Sequence, residues 1–366
     1  MNRIPVGVLG ATGMVGQNYI SLLNDHPWFE VKFVAASARS AGKKYGDVMT
    51  GRWRLRTPFP SGVRALTIED ANDVSRAAAA AKNGGLAFVF SALEMGKDEI
   101  LALENAYAAA GIPVVSNASA NRWTDDVPML IAEVNPDHAD IISEQKKKRG
   151  YDKGFIVVKP NCSIQSYMTP FHALIQAGYE IKRAIVTTMQ AVSGAGYPGV
   201  PSLDIIDNVV PYIGGEEEKS ELEPLKIFGT CKGGAIIKAK EPVISAHCNR
   251  VTVINGHTVT VSMEFGEKKP SIDQIKKIWT DFRALPQQLK LPMAPEQPII
   301  VREEDNRPQP GMDRDADKGM AVSVGRIRPC NVFDVRFVGL SHNTVRGAAG
   351  GGILNAELLK SKGYLG

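Results

Sequence analysis

IPVGVLGATGMVG, residues 4–16, is a β-branched run that passes directly into a glycine loop and then into a helical pattern. Gly10, Gly13 and Gly16 are spaced three apart, a variant of the glycine fingerprint of dinucleotide-binding folds. Where a strand meets a helix, backbone amides and the helix dipole can hold a pyrophosphate. Glycines at such a turn can also serve simply to make a tight corner. The pattern of strands and helices around the loop distinguishes nucleotide binding from a tight turn.

Four more short apolar runs follow the loop before residue 160: EVKFVAA, LAFVFSAL, IPVVSN and FIVVKPN. Helical patterns lie between the runs, near 14–24, 70–82 and 97–110. Strands that alternate with helices predict right-handed crossovers and a parallel sheet covered on both faces. We therefore predict a Rossmann-type, doubly wound α/β domain over residues 1–160, in which the glycine loop binds a nucleotide.

Beyond residue 160 the chain changes to long runs of alternating polar and apolar residues: IKRAIVTTMQAV, NRVTVINGHTVTVSMEF, GMAVSVGRIR and NVFDVRFVGL. Such alternation is typical of an antiparallel sheet with one packed face. We predict a second, α+β domain over residues 161–342 with a largely antiparallel sheet. Residues 343–366 contain the helical stretch NAELLKSK and are expected to return to the first domain.

Composition and charge exclude several classes of protein. The 43 basic and 39 acidic residues leave a net charge of +4, too small to indicate a nucleic-acid or membrane surface. No run approaches the ~18 apolar residues of a membrane span, and the N-terminus enters a strand without room for a leader. The four cysteines lie far apart with no C-x-x-C pair, so neither a metal cluster nor a disulfide framework is expected. We expect a cytoplasmic protein whose partners are small molecules.

The second predicted strand ends in AASARSAG, where an NAD-dependent enzyme usually carries Asp or Glu for the ribose hydroxyls. Ser37, Arg39 and Ser40 stand there instead, and their hydroxyls and cation suit the 2′-phosphate of NADP. The missing carboxylate also removes a source of repulsion. An arginine in an exposed polar loop would give the same pattern, but in this context the sequence favours NADP over NAD.

Cys162, in KPNCSIQSYMTP, follows a predicted strand and opens a helical pattern. A helix N-terminus lowers the pKa of a thiol, and a cysteine with the unperturbed pKa of about 8.5 needs such help to act as a nucleophile. A lone cysteine is otherwise most often a small buried apolar residue. His257 follows the turn residues Asn255 and Gly256 and is the candidate base, although a histidine in a turn can be purely structural. Their pairing is a hypothesis that the distance between them tests.

Other polar motifs could surround a substrate. The loop QAVSGAGYPG contains glycines that allow a backbone to approach a ligand closely, although it could equally be a strained bend. Three cations would suit a substrate with phosphate and carboxylate groups, while each alone could be a surface charge. They are Arg122 in NASANRW, Lys219 in GGEEEKSELEPLK and Arg250 in CNRVTV.

Eight motifs lie along the chain in a fixed order: GATGMVG, SNASANR, AEVNPDH, KPNCS, QAVSGAGYPG, GGEEEKSELEPLKI, CNRVTVINGH and SHNTVRGAAGG. In this order and spacing the chain resembles the aspartate-semialdehyde dehydrogenase family, specifically its fungal and archaeal branch, over essentially its whole length. The resemblance implies NADP-dependent reductive dephosphorylation of 4-phospho-L-aspartate to L-aspartate 4-semialdehyde. This step serves threonine, methionine and isoleucine biosynthesis, and lysine biosynthesis where it follows the aspartate route. A homodimer or homotetramer formed through the second domain is also implied.

The resemblance also implies residue roles. Cys162 becomes the acyl-accepting nucleophile, His257 the general acid/base and Gln190 the group that orients the intermediate. The substrate groups are shared among five residues: the phosphate goes to Asn161, Arg122 and Lys219, the amino group to Glu216 and the carboxylate to Arg250. The implied NADP contacts are Gly10, Thr12, Gly13, Met14, Val15, Ser37, Arg39, Ser40, Ser91, Ser193, Gly194 and Asn343.

The chain departs from the family pattern at two places, and three alternatives remain. Thr252 stands where the family has proline, and AEVN replaces PEVN; both changes affect local rigidity and remove no reactive group. A malonyl-CoA reductase would share the chemistry with another leaving group, and an N-acetylglutamyl-phosphate reductase is a further relative. Neither substrate has the free ammonium that Glu216 suits. A catalytically inactive NADP-binding protein is the third alternative, and the presence of both Cys162 and His257 argues against it.

Overall fold

The first half of the chain forms a six-stranded parallel sheet with helices on both faces, in a computed structural model that describes residues 3–366. Its strands are β1 (Ile4–Leu9), β2 (Phe29–Ala36), β3 (Ile68–Asp70), β4 (Phe88–Ser91), β5 (Val114–Ser116) and β6 (Ile156–Val158). Its helices are α1 (Met14–Leu22), α2 (Tyr45–Met49), α3 (Val74–Lys82), α4 (Lys97–Ala109) and α5 (Ile142–Arg149). The strand order is β3-β2-β1-β4-β5-β6, and every neighbouring pair is parallel. The predicted Rossmann-type fold is confirmed.

Two details of this sheet differ from the sequence prediction. Strand β3 was not predicted, because its three residues IED carry no apolar run. The helix predicted from residue 70 begins at Val74, since the Asp70 side chain accepts a hydrogen bond from the Asn72 backbone N–H at 3.0 Å and closes a turn there.

The second half forms a six-stranded mixed sheet and a small two-stranded one. Its strands are β7 (Ile181–Ala191), β8 (Thr230–Lys232), β9 (Ala235–Ile237), β10 (Val243–Val251), β11 (His257–Phe265), β12 (Ile299–Arg302), β13 (Val322–Pro329) and β14 (Val335–Ser341). Its helices are α6 (Gln165–Gln176), α7 (Ser202–Ile205), α8 (Glu216–Ile227), α9 (Ile272–Asp281), α10 (Leu285–Gln288), α11 (Pro310–Asp313) and α12 (Gly350–Ser361). The large sheet has the order β10-β7-β11-β14-β13-β12.

The centre of this sheet is antiparallel, as predicted, but its two outer pairs are parallel. The predicted run 249–265 divides into β10 and β11, which do not pair with each other but lie on opposite sides of β7. The chain leaves β7, passes through α8 and returns as β10, a crossover that makes the two strands parallel. The alternation of polar and apolar residues indicates which face of a strand is buried but not the direction of the strand, so the two parallel pairs were not predicted.

The C-terminal segment packs against the first sheet. After β14 a π-helical turn (Val345–Ala349) leads into α12, whose Ile353, Ala356 and Leu359 are buried in one apolar cluster with residues of β1 and α1. Residues from both halves of the chain therefore meet around the loop between β6 and α6. Within residues 3–366, no helix combines the length and the apolar character needed to cross a bilayer.

Candidate active site

A cleft of about 1100 Å³ opens at the carboxyl ends of β1 and β4, the neighbours at which the strand order reverses. The glycine loop after β1 lines it. Gly10 has a φ of +75°, and a Cβ there would lie 2.2 Å from the carbonyl oxygen of Ala92, so glycine is required. Doubly wound sheets bind nucleotides in the crevice at this switch point.

Half of the predicted cofactor residues line this cleft: Gly10, Thr12, Gly13, Ser37, Arg39 and Ser40. Lys43, Lys44 and Arg52 also line it and were not predicted, although a lysine pair directly after SARSAG was the available signal. Lys43 Nζ donates to the carbonyl oxygen of Arg39 at 3.0 Å and so helps to hold the loop that presents Arg39. This end of the cleft is cationic and suits a phosphate.

A second cavity of about 270 Å³ adjoins the cleft and shares Ala92, Leu93 and Glu94 with it. It contains Cys162. Nine other predicted residues line it: Met14, Val15, Arg122, Asn161, Ser193, Gly194, Glu216, Lys219 and Asn343. The fold thus brings residues from the first sheet, the β6–α6 loop, α8 and the C-terminal segment around one sulfur atom.

Cys162 and His257 are in contact. The Sγ atom lies 3.3 Å from His257 Nε2, although the two residues are 95 positions apart in the chain. Cys162 lies in the loop that enters α6, and His257 is the first residue of β11. The distance satisfies the pairing hypothesis, because a nucleophile and its partner must be within hydrogen-bond reach.

The expectation of a lowered thiol pKa is wrong for this structure. Burial raises the pKa of the Cys162 thiol to about 11, and the Glu216 carboxylate acts in the same direction. Lys159, Arg122 and Arg250 oppose that rise without overcoming it. Helix α6 begins at Gln165, three residues beyond the cysteine. Desolvation therefore outweighs any effect of the helix N-terminus.

His257 is neutral, and its tautomer follows from its contacts. Burial, with Arg250 nearby, lowers the pKa of His257 to about 3. The backbone N–H of Ala191 donates to Nδ1 at 3.0 Å, so Nδ1 is the unprotonated nitrogen. Nε2 must then carry the proton of the neutral ring and point it at Cys162 Sγ. In the resting molecule His257 is a hydrogen-bond donor to the sulfur.

Four predicted residues lie outside the lining of both cavities: His257, which contacts Cys162 from behind it, and Gln190, Arg250 and Ser91. Gln190 is buried in β7 and donates to Thr188 Oγ1 at 3.3 Å. Arg250, beside it in β10, donates from Nη1 to the carbonyl oxygen of Ala191 at 2.8 Å. Ser91 is fully buried and its hydroxyl donates to Glu104 at 2.7 Å, so that hydroxyl is held away from the cleft.

Glu223 of α8, which was not predicted, holds the nucleophile loop in place. One of its carboxylate oxygens accepts from Arg122 Nη1 at 2.8 Å, and the other accepts from the Asn161 backbone N–H at 2.6 Å. It is fully buried. Glu223 lies seven residues after Glu216, on the same face of a helix, which is the signal that could have found it. Breaking this pair would leave a buried charge beside Cys162.

Glu216 accepts hydrogen bonds from two other residues that line the cavity. The Glu216 carboxylate accepts from Asn161 Nδ2 at 2.9 Å and from Lys219 Nζ at 2.8 Å. Burial opposes ionisation, but Lys219 and Asn161 hold the pKa of Glu216 below its ordinary value, so the group stays charged.

Asn343 accepts from the Gly256 N–H at 2.8 Å and donates to Ser193 Oγ at 2.8 Å. It therefore fixes the turn that precedes His257.

Gly194 lies tightly against the catalytic candidates. A Cβ there would lie 2.9 Å from Arg250 Nη1 and 3.3 Å from His257 Nε2. We expect Gly194→Ala to displace both side chains and to lower kcat on the order of 10²-fold, the cost of misplacing a reacting group by about 1 Å. Gly62→Ala is the matched control, since a Cβ at that position meets no described atom within 4 Å. Equal steady-state rates for the two variants would show that the contact is unimportant.

Comparison with known proteins gives consistent findings along the whole chain. The family model described as the NAD-binding domain of semialdehyde dehydrogenase matches residues 5–142, and the dimerisation domain matches residues 171–346. Aspartate-semialdehyde dehydrogenase of Methanothermobacter thermautotrophicus is 49% identical over 97% of this chain and 99% of its own. The aspartate-semialdehyde dehydrogenase of Schizosaccharomyces pombe is 42% identical over 98% of this chain and 99% of its own. The crystal structure of aspartate-semialdehyde dehydrogenase with NADP from Candida albicans superposes with a TM-score of 0.89 at 39% identity, covering 99% of this chain and 100% of that one.

Proposed function

This chain belongs to the aspartate-semialdehyde dehydrogenase family, and we propose that it interconverts 4-phospho-L-aspartate and L-aspartate 4-semialdehyde with NADP, through a thioester on Cys162. The activity is that of an oxidoreductase of amino-acid biosynthesis. The observation that carries the proposal is the contact of His257 Nε2 with the Sγ atom of Cys162, which lines a cavity that shares a wall with the nucleotide cleft.

The cleft fits NADP. Its glycine loop leaves no room for a side chain at Gly10, and its far end presents Ser37, Arg39 and Ser40 with the lysine pair beside them. The loop amides would hold the pyrophosphate, and the cationic end would hold the 2′-phosphate. The cofactor would supply the hydride as NADPH in the reductive direction and take it up as NADP in the reverse direction.

The chemistry of the chain's own residues starts at Cys162. Its thiolate attacks the acyl carbon of the acyl phosphate, a carbon–sulfur bond forms, the carbon–oxygen bond to phosphate breaks, and phosphate leaves. After reduction, the tetrahedral alkoxide collapses with cleavage of the carbon–sulfur bond, which releases the aldehyde and returns the thiolate. His257 is the acid/base of this scheme, and its Nε2 lies where a proton can be shared with the reacting oxygen or sulfur.

The substrate's other groups are assigned by charge. Arg122, Asn161 and Lys219 line the cavity and would bind the phosphate, while the ionised Glu216 suits an ammonium. Gln190 and Arg250 lie just behind the lining, and we assign them to orienting the intermediate and binding the carboxylate. The loop that contains Gly194 packs against Arg250, so we expect this loop to move when Arg250 binds the substrate carboxylate.

The alternative functions receive less support. Malonyl-CoA and an acetylated glutamyl phosphate both lack the ammonium that Glu216 would bind, and the named archaeal and fungal relatives are aspartate-semialdehyde dehydrogenases. A catalytically inactive NADP-binding protein would not need a cysteine and a histidine held 3.3 Å apart.

Self-association is part of the proposal. The family model over the second half is a dimerisation domain, and apolar side chains of residues 203–212 are exposed: Leu203 by 92%, Ile206 by 64%, Val209 by 56% and Tyr212 by 59%. Exposed apolar patches of this kind mark protein interfaces. We propose a homodimer, or a homotetramer built from it, in the cytoplasm.

Cofactor choice rests on Arg39. We expect Arg39→Gln to raise KM for NADP by about ten- to a hundredfold, because a hydrogen bond to a charged group contributes about 1.5–3 kcal/mol. KM for NAD, which lacks the 2′-phosphate, should hardly change. Arg76→Gln is the control, since Arg76 is exposed on α3 outside the cleft. Parallel losses with NADP and NAD would exclude the 2′-phosphate contact.

The assay that tests the proposed function follows NADPH absorbance with purified protein, L-aspartate 4-semialdehyde, NADP and inorganic phosphate. NADPH formation that depends on phosphate is expected. Oxidation of NADPH by malonyl-CoA, without activity on the aspartyl substrate, would show that the protein is an acyl-CoA reductase instead.

A further inference from the structure

The contact between Cys162 and His257 joins two elements that are far apart in the chain. Cys162 precedes α6 and His257 is the first residue of β11, so no local geometry sets the 3.3 Å between Sγ and Nε2. Groups that react together have to be held to within about 0.5 Å of the productive arrangement. The site therefore needs a direct link between the start of α6 and the start of β11.

Ser166 makes that link. It lies four residues after Cys162, in the first turn of α6, and it is fully buried. Its Oγ donates a hydrogen bond to the backbone carbonyl oxygen of His257 at 2.9 Å. The helix that follows the nucleophile is thus bonded to the residue whose ring contacts the sulfur.

A second buried hydroxyl supports this bond. Ser341 is the last residue of β14, it pairs with His257 in the sheet, and its Oγ lies 2.8 Å from Ser166 Oγ. A serine hydroxyl has one hydrogen, and Ser166 gives its hydrogen to the His257 carbonyl, so Ser341 is the donor in the second bond. Ser341, Ser166 and His257 therefore form a chain of hydrogen bonds in which each bond polarises the next.

The sheet allows α6 to approach this closely. A Cβ on Gly339 of β14 would lie 2.3 Å from the Ser166 carbonyl oxygen, so a larger residue there would push the helix away. Gly339 lies two residues before Ser341 on the same strand, and alternate residues of a strand share a face. The bare backbone and the Ser341 hydroxyl therefore face α6 together.

The other bonds around His257 hold its ring and the preceding turn. The backbone N–H of Ala191 in β7 donates to Nδ1 at 3.0 Å, and the Asn343 side chain accepts from the Gly256 N–H at 2.8 Å. These two bonds fix His257 relative to its own sheet and to the segment after β14, but they leave its distance from α6 open. The bond from Ser166 fixes that distance.

We propose that Ser166 is the positioning residue that sets the distance between Cys162 Sγ and His257 Nε2, because it bonds the helix after the nucleophile to the strand of the acid/base. Ser166 lines neither cavity, so it acts on the reaction through the two residues that it holds. The inference rests on the proposed roles of Cys162 and His257, and it adds a residue on which their cooperation depends.

The test compares three variants, each of which removes one buried hydroxyl. Ser166→Ala breaks the link, and Ser341→Ala keeps the bond to His257 but removes the hydroxyl that polarises it. Ser323→Ala is the matched control: Ser323 of β13 is equally buried, and its Oγ has no hydrogen-bond partner within residues 3–366. All three proteins should bind NADP as the wild type does, because none of these serines lines the cleft.

Two readouts separate positioning from a general loss of stability. In Ser166→Ala, kcat should fall about tenfold or more while KM for NADP stays unchanged, since a shift of about 1 Å in a reacting group can cost about 10²-fold. Iodoacetamide alkylation of the Cys162 peptide, followed by mass spectrometry across pH, distinguishes it from the three other cysteines. The apparent pKa of Cys162 should rise by about one unit, because the thiolate loses part of a hydrogen bond from Nε2–H. Ser341→Ala should show smaller changes in the same directions, and Ser323→Ala should show none.

A Ser166→Ala protein that unfolds at a lower urea concentration, yet keeps the wild-type kcat and alkylation profile, would show a purely structural role and overturn the inference. If Ser166→Ala does not fold, Ser341→Ala decides: a kcat and an alkylation profile equal to those of Ser323→Ala would also overturn it. Alkylation requires no turnover, so this readout does not depend on the proposed reaction. Failure of the proposed function would appear separately, as a Cys162→Ser variant that retains activity.

Discussion

Cys162→Ser should lose phosphate-dependent NADPH formation by at least about 10⁴-fold in kcat, the scale on which removal of a nucleophile acts in enzymes with covalent intermediates. A hydroxyl in the same place has a much higher pKa than a thiol. The donor His257 Nε2–H can stabilise an anion there but does not generate one. NADP binding should be unchanged, because the nucleotide cleft is lined by residues of the first domain.

The control for this prediction is Cys248→Ser. Cys248 is a buried cysteine of β10 whose Sγ lies 3.7 Å from Ser220 Oγ, away from the cavity lining. It should retain most of the wild-type rate. A Cys162→Ser enzyme that keeps more than a small fraction of wild-type activity, with NADP affinity intact, would show that Cys162 is not the nucleophile.

Arg346→Met should destabilise the protein by about 3–5 kcal/mol, the cost of breaking a buried ion pair by removing one partner. Arg346 binds Glu133 through both carboxylate oxygens, at 3.1 and 3.0 Å, and both side chains are 2% exposed. It also donates to the carbonyl oxygen of Met320 and to Thr169 Oγ1. The pair ties the C-terminal π turn to three other segments, so its loss leaves an unpaired carboxylate in the interior.

Urea unfolding at fixed protein concentration measures this cost, because self-association would otherwise shift the midpoint. Arg346→Met with Glu133→Leu should be more stable than Arg346→Met alone, since no charge is then left unpaired. Arg183→Met, which removes an exposed partner of Glu264, should leave the midpoint nearly unchanged. A single variant no less stable than the double variant would contradict the role of the pair.

Local patterns in the amino-acid sequence predicted much of the fold. The β-branched runs predicted β1, β2, β4, β5 and β6, and the glycine loop predicted where the nucleotide cleft opens. Strand β3 was missed because three residues, two of them acidic, give no periodic signal. The parallel pairing of β10 with β7 was missed because it depends on the path through α8, which no local pattern records.

The site was predictable in its residue types and less so in its electrostatics. The order of the motifs predicted Cys162, His257 and Glu216 as residues of one site. In the structure Cys162 and Glu216 line one cavity, and His257 contacts Cys162. The predicted direction of the thiol pKa shift was wrong, because the fold buries Cys162, with Gly347 of the C-terminal turn close to its Cβ, and because Glu216 of α8 raises the pKa further. The tautomer of His257 depends on a single backbone N–H in β7, which no side-chain motif encodes.

We propose that Cys162 carries the acyl group during turnover. The direct measurement is the intact mass of the protein, with a peptide map, after mixing with L-aspartate 4-semialdehyde and NADP in the absence of phosphate, so that the acyl-enzyme has no acceptor. We expect a gain of one aspartyl group located on Cys162 in the wild type and no such gain in Cys162→Ser. An enzyme that turns over once phosphate is added, but never carries the acyl group on Cys162, would contradict it.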